Sequence, residues 1–125
     1  MTVVYDAGVF VAADRSDRRV WAEHRVRLEL GVVPTTTAPV VAQVSRSPHQ
    51  VQLRRFLRGC AVVAFDADQA HPVGAFLASA GTADVVDAHL AIVAAQTGST
   101  VLTSDPIDMR HLSSHLASPL TIEPI

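Results

Sequence analysis

Residues 81–108 read GTADVVDAHLAIVAAQTGSTVLTSDPID, and this stretch decides the fold. It carries two D-x-x-D pairs, Asp84 with Asp87 and Asp105 with Asp108. Between the pairs, Val85, Val86, Leu90, Ala91, Ile92, Val93, Ala94 and Ala95 leave little room for a solvated face. A helix that is apolar nearly all round is a buried helix. After Gly98, residues 99–103 are short and β-branched, and they end in Ser104-Asp105-Pro106. That pattern predicts a strand whose end delivers a carboxylate to the start of the next helix.

Working outward, residues 2–5 form an apolar, β-branched first strand with Asp6 at its carboxyl end. A helix over 7–13 follows at once, then a polar turn over 14–17 and a helix over 18–30 closed by Gly31. Residues 32–36 read as a second strand, with Pro34 marking an edge. Thr37 or Ala38 then starts a helix with Pro39 in its first turn and Gln43 one turn in. Residues 45–48 break the pattern, and 49–57 resume it until Gly59. A third strand over 60–65 leads to Asp66, which caps a helix over 67–79. Beyond the central stretch lie a helix from 106 to about 116 and an edge-like strand over 120–123. Alternating strands and helices imply one α/β domain over 1–125, a parallel sheet covered on both faces. Such sheets bind ligands outside the carboxyl ends of the strands, where the strand order reverses. Asp6 and Asp105 both sit at such ends, and they converge if their strands are neighbours.

A chain of 125 residues suits one core, and 49% hydrophobic residues with a mean hydropathy of +0.28 exclude disorder. No run reaches the roughly 18 apolar residues of a membrane span. No basic leader precedes Asp6, so no signal peptide is expected. Cys60 is alone, which fits a buried thiol in a reducing compartment, the cytoplasm. The net charge of −2 hides an asymmetry: residues 1–60 hold nine Arg against five acids, and residues 61–125 one Arg against seven acids. All ten basic residues are Arg, whose planar fork pairs with phosphate bidentately. An Arg-bearing half and an acidic half suit a protein that holds a polyanion and cuts it. The simpler reading makes these arginines solvated helix faces.

Each D-x-x-D pair also has an ordinary explanation, an N-cap with an acid at N3. Asp6 has no evident cap duty, and it changes the balance. At about 4 Å and an effective dielectric near 20, two carboxylates repel by about 4 kcal/mol. Crowding three or more calls for a cation or for protonation. Mg²⁺ or Mn²⁺ is the expected occupant, because hard cations take oxygen ligands and activate water toward phosphodiesters. Walker loops, G-x-G-x-x-G and G-x-S-x-G are absent. The lack of any Lys argues against a phosphoacceptor receiver module.

Asp6 in VVYDAGVFVAA, the segment DVVDAHLAIVAA and the segment LTSDPIDM together resemble the three acidic motifs of PIN-domain ribonucleases. They are most similar to the compact VapC-type toxins of toxin–antitoxin pairs. The resemblance runs along the whole chain in order and spacing. It implies a three-layer domain with a five-stranded parallel sheet and Mg²⁺- or Mn²⁺-dependent cleavage of RNA, whether tRNA, rRNA or mRNA. It also implies a homodimer and a cognate antitoxin; the lack of a long apolar run separately leads us to expect no membrane association. By position, Asp6, Asp87 and Asp105 match the catalytic, metal-holding acids, with Asp84 and Asp108 beside them. One position departs: where the family commonly has Glu, PVVAQVSR holds Gln43, which brings no charge and takes no proton. Weaker metal binding is expected from that change, and a domain that binds RNA or antitoxin without cutting is the alternative. Thr103 and Ser104 are candidates to orient Asp105 or a phosphate, and Arg15, Arg18, Arg46 and Arg54 to bind RNA. His111 and His115 have the i, i+4 spacing of zinc ligands but no third ligand nearby. Trp21 reads as a core or dimer contact ahead of a base-stacking one.

Overall fold

The three apolar residues of the first strand are all buried, so both faces of the sheet at that point are covered. The computed structural model describes residues 2–125, and among these five strands and seven helices alternate. They are β1 (Val3–Tyr5), α1 (Ala7–Asp14), α2 (Arg18–Glu29), β2 (Thr35–Thr37), α3 (Ala38–Val44), α4 (Val51–Leu57) and β3 (Ala61–Val63). The second half adds α5 (Ala67–Ala80), α6 (Val85–Thr97), β4 (Thr100–Thr103), α7 (Pro106–Ser113) and β5 (Thr121–Pro124). All strands are parallel in the order β3-β2-β1-β4-β5. The order therefore reverses around β1, which pairs with β4 through Val3–Thr100, Val4–Val101 and Tyr5–Leu102. The strands that end in Asp6 and lead to Asp105 are neighbours, as convergence requires.

The helices form two groups. α1 packs with α2, α3 and α4, while α6 packs with α5 and α7 and lies against β1, β2 and β4. α6 is the buried helix expected from its composition: Ala88–Ala91, Val93 and Ala94 are all buried. On the α1 side, Tyr5 packs edge-on to Phe10 and stacks with Phe56. Arg27 Nη1 donates to the Tyr5 hydroxyl oxygen at 3.0 Å, which leaves the hydroxyl proton for His24 Nδ1, also at 3.0 Å. That arrangement needs a neutral imidazole, and burial followed by the Arg27 charge pushes the His24 pKa down. Burial pushes Tyr5 up to about 12 despite the opposing pull of Arg27. Trp21 takes the core role: its Nε1 donates to Ala13 O at 2.9 Å and its ring meets Phe56 at 5.0 Å. Cys60 packs half-buried against the same core, and burial raises its thiol to about 12.

Several boundaries differ from the expected ones. β2 begins at Thr35 rather than at residue 32, because Val32 N still bonds Arg27 O and Pro34 has no N–H to pair. Thr37 ends the strand and caps α3, its Oγ1 accepting from Val40 N at 3.3 Å. α4 begins two residues late, since the Gln50 side chain is spent on the preceding loop. β3 is shorter than its apolar run. α7 stops at Ser113 instead of continuing to about 116, where the Ser113 and Ser114 hydroxyls bond backbone groups. No single helix among the described residues is long and apolar enough to cross a membrane.

Gly8, in the first turn of α1, lies against the turn that follows β4. A Cβ there would meet Ser104 Oγ, stand 2.6 Å from Ser104 Cβ and 3.3 Å from its backbone N. Gly8→Ala is therefore expected to destabilise the protein by about 1–3 kcal/mol, as overpacking does. Urea denaturation checks this, and a variant as stable as the wild type would contradict the close approach.

Candidate active site

Asp6 follows β1 directly and extends its ladder by donating its N–H to Leu102 O at 3.0 Å. Contrary to the sequence reading, it does have cap duty: it is the N-cap of α1, with Oδ1 accepting from Ala7 N at 2.7 Å. Its other oxygen, Oδ2, accepts from Thr103 Oγ1 at 2.7 Å. The same Thr103 hydroxyl oxygen accepts from Asp105 N at 2.9 Å. Thr103 is fully buried and Asp6 is 6% exposed, so this link between the ends of β1 and β4 is shielded from water. Thr103 thus orients Asp6 through its side chain and Asp105 through its backbone.

The two D-x-x-D pairs are caps, as their ordinary reading holds. Asp84 caps α6 and accepts from Asp87 N at 3.0 Å, and Asp105 caps α7 and accepts from Asp108 N at 3.3 Å. They are also neighbours. Asp84 and Asp87 from α6 share a 130 Å³ pocket with Asp108, His111 and Leu112 from α7. Asp87 feels the crowd most. Burial first, then the Asp6 charge, then the charge and hydrogen bond of Asp84, and last Asp108 push its carboxyl up to about 7. These causes overcome the helix N-terminus, which favours the ionised form. Asp108 is raised too, first by its hydrogen bond with Asp105 and then by the Asp105 charge, against a lowering pull from His111. Asp105 acts on Asp108 and is not among the charges that raise Asp87.

A carboxyl whose pKa is raised by burial and by neighbouring acids is one whose ionised form a nearby positive charge would favour. The carboxyl oxygens of Asp84, Asp87 and Asp108 suit a hard divalent cation, with the His111 ring as the one nitrogen donor in the same pocket. The side chains are not gathered into a ready cage: among the described residues no three His, Cys, Asp or Glu side chains stand together at metal-holding spacing. His111 Nε2 lies 2.8 Å from Ala80 O, so this ring ties α7 to the end of α5. Its ring stands 5.1 Å from that of His115 without a third ligand.

The remaining candidates scatter. Gln43 is exposed and lines a different cavity, with Arg15 and Arg46, rather than the pocket of Asp84, Asp87 and Asp108. Ser104 and Arg15 line a further, 880 Å³ cleft along α1 and α2. Arg18 and Arg54 are exposed and line none of these three. The sequence reading assigned nothing to Gln50 or to His89. Gln50 bonds Asp14 across 36 residues of chain. His89 is fully buried on α6 against Phe65 at 4.7 Å, without a hydrogen-bond partner among the described residues, and burial lowers its pKa.

A five-stranded parallel sheet with acids gathered beside the ends of its two central strands defines a PIN-like fold. Solved structures bear this out over nearly the full chain. VapBC2 from Rickettsia felis, solved bound to a DNA fragment from its promoter, matches with a TM-score of 0.70 at 15% identity, covering 100% of this chain and 99% of that one. FitAB bound to an IR36 DNA fragment gives 0.66 at 16% identity, with 98% and 94% covered. PAE2754 from Pyrobaculum aerophilum gives 0.63 at 16% identity, with 97% and 90% covered. At these identities the likeness is one of fold. No protein-family model and no curated protein matches the chain.

The raised Asp87 pKa has a stability consequence whose sign follows from linkage. Its folded value, about 7, lies above the ordinary 3.8, so the folded state holds the extra proton between those values. Stability is therefore lost as pH rises through that window. In chelator-treated protein, Asp87→Asn is expected to melt a few degrees higher than the wild type at pH 8, with the gap closing toward pH 4. Thermal melts across that range check it. An Asn variant that melts lower at pH 8 would contradict the repulsion.

Proposed function

We propose that this chain is a metal-dependent endoribonuclease that acts as the toxin of a toxin–antitoxin pair, of the VapC type. The observation that carries the reading is the crowding of Asp84, Asp87 and Asp108 around one pocket, where burial and the charges of Asp6, Asp84 and Asp108 raise the Asp87 pKa. The fold shared with VapBC2 and FitAB, and the acidic motifs in their expected order, support it. In this reading Asp6 and Asp87 hold Mg²⁺ or Mn²⁺, with Asp105, Asp84 and Asp108 adding ligands or charge. Such an ion, when bound, lowers the pKa of a water and offsets charge on a phosphodiester.

The protein's own residues prepare that chemistry. Thr103 fixes one oxygen of Asp6 and the Ala7 N–H fixes the other, so the carboxylate keeps one orientation. Asp87 gives up its proton near pH 7 as positive charge arrives, which makes metal affinity rise with pH. The arginines of the first half hold the RNA backbone. A cognate antitoxin, a homodimeric state and a cytoplasmic location complete the proposal.

Asp6→Asn and Asp87→Asn are each expected to abolish Mn²⁺-dependent cleavage of a labelled RNA while leaving the circular dichroism spectrum unchanged. Inducing the wild-type chain in cells is expected to arrest growth, and neither variant should do so. Full cleavage by both variants would remove the mechanism. A well-folded wild-type chain that cleaves no RNA with added Mn²⁺ would remove the nuclease.

A further inference from the structure

The loop between α3 and α4 is held open by one amide. Both N–H groups of Gln50 donate, to Asp14 Oδ2 at 3.1 Å and to Val44 O at 2.9 Å. Its Oε1 accepts from Arg46 N at 2.7 Å and Ser47 N at 3.0 Å. Every hydrogen-bonding position of this side chain is used. The result is a loop of defined shape with Arg46 on it, fastened to the last turn of α1.

That fastening shapes a 420 Å³ cavity lined by Phe10, Val11, Asp14 and Arg15 on one side of the sequence and by Gln43 and Arg46 on the other. Its charge is positive. Arg15 and Arg46 make no ion pair and no side-chain hydrogen bond among the described residues. Asp14 is the one acid lining it, and Gln50 already occupies its Oδ2. The Gln43 amide has no partner among the described residues and offers both a donor and an acceptor. Two free guanidinium groups and a free amide in a concave site suit a phosphate oxygen better than any cation.

The cavity also has a fixed relation to the acids. Ala7, next to Asp6, lines it too, and it extends along α1 as far as Arg15. At 1.5 Å rise per residue, Arg15 lies on the order of 13 Å along the helix from Asp6. A phosphate held at the Arg15 end, away from Ala7, would be a neighbour of one that reacts at Asp6. We infer that the cavity between α1 and the α3–α4 loop binds a backbone phosphate of the RNA strand flanking the bond that is cut, through Arg15, Arg46 and Gln43. This inference rests on the nuclease reading above and assigns Gln43 to substrate rather than to metal.

The test is RNA binding in EDTA, measured by fluorescence anisotropy of a labelled single strand from about 50 to about 200 mM salt. Arg15→Gln and Arg46→Gln are each expected to weaken binding and to flatten the plot of log affinity against log salt by about 0.7, the share of one phosphate contact on a single strand. Gln43→Glu should weaken binding as well. Arg110→Gln, on α7 and outside the cavity, should leave both affinity and slope unchanged. If both Arg variants bind RNA as the wild type does while the wild type binds and cuts it, the cavity assignment falls and the nuclease stands. A slope change in Arg110→Gln equal to theirs also overturns it. A wild-type chain that neither binds nor cuts RNA removes both readings.

Discussion

The register of β1 against β4 is the constraint on which the site depends. Pairing Tyr5 with Leu102 puts Asp6 and Thr103 side by side at the carboxyl edge of the sheet, and the 2.7 Å bond between them locks that edge. A slip of one residue would turn every side chain of β1 to the other face. Tyr5 would then leave its place between Phe10 and Phe56, and Asp6 would leave Thr103. The burial of Val3, Val4 and Tyr5 therefore specifies the position of a carboxylate that lies just past the strand. Packing stabilises this arrangement and charge opposes it, since Asp6 bears on Asp87 across the crevice.

The acids show how one residue type serves two ends. Asp6, Asp84 and Asp105 each cap a helix, which offers their carboxylates backbone N–H donors at low cost. Caps of helices that start at one edge of a parallel sheet gather there without further design. Asp87 has no such donor and is half-buried, so it absorbs the strain of the group as a raised pKa. Capping does not rule out the metal role proposed for these residues, because caps at one sheet edge bring carboxylates together from ordinary parts.

Much of this was legible in the sequence. The alternation of short β-branched runs with helices revealed the parallel sheet, and the apolar character of residues 85–95 revealed the buried helix, because burial on both sides erases amphipathic periodicity. That Asp6 and Asp105 end neighbouring strands followed from the strand pattern, whereas the approach of Asp87 on α6 to Asp6 did not. What stayed hidden was tertiary. The cap role of Asp6 depends on α1 starting with no intervening turn. The true start of β2 depends on the turn after α2, which spends Val32 N on Arg27 O. Gln50 bonds Asp14 and the backbone of its own loop at once, a pattern with no signature in local spacing. Gln43 stands where the resemblance leads one to expect Glu, whereas in space it shares a cavity with Arg15 and Arg46, which make no ion pair among the described residues.

The central claim is that neighbouring carboxylates and burial hold the Asp87 side chain protonated until a cation arrives. A ¹³C NMR titration of the Asp87 carboxyl in metal-free protein tests it most directly. The account predicts a midpoint of about 7, moving down when Mg²⁺ is added. A midpoint near the ordinary value of 3.8, unmoved by Mg²⁺, would contradict it.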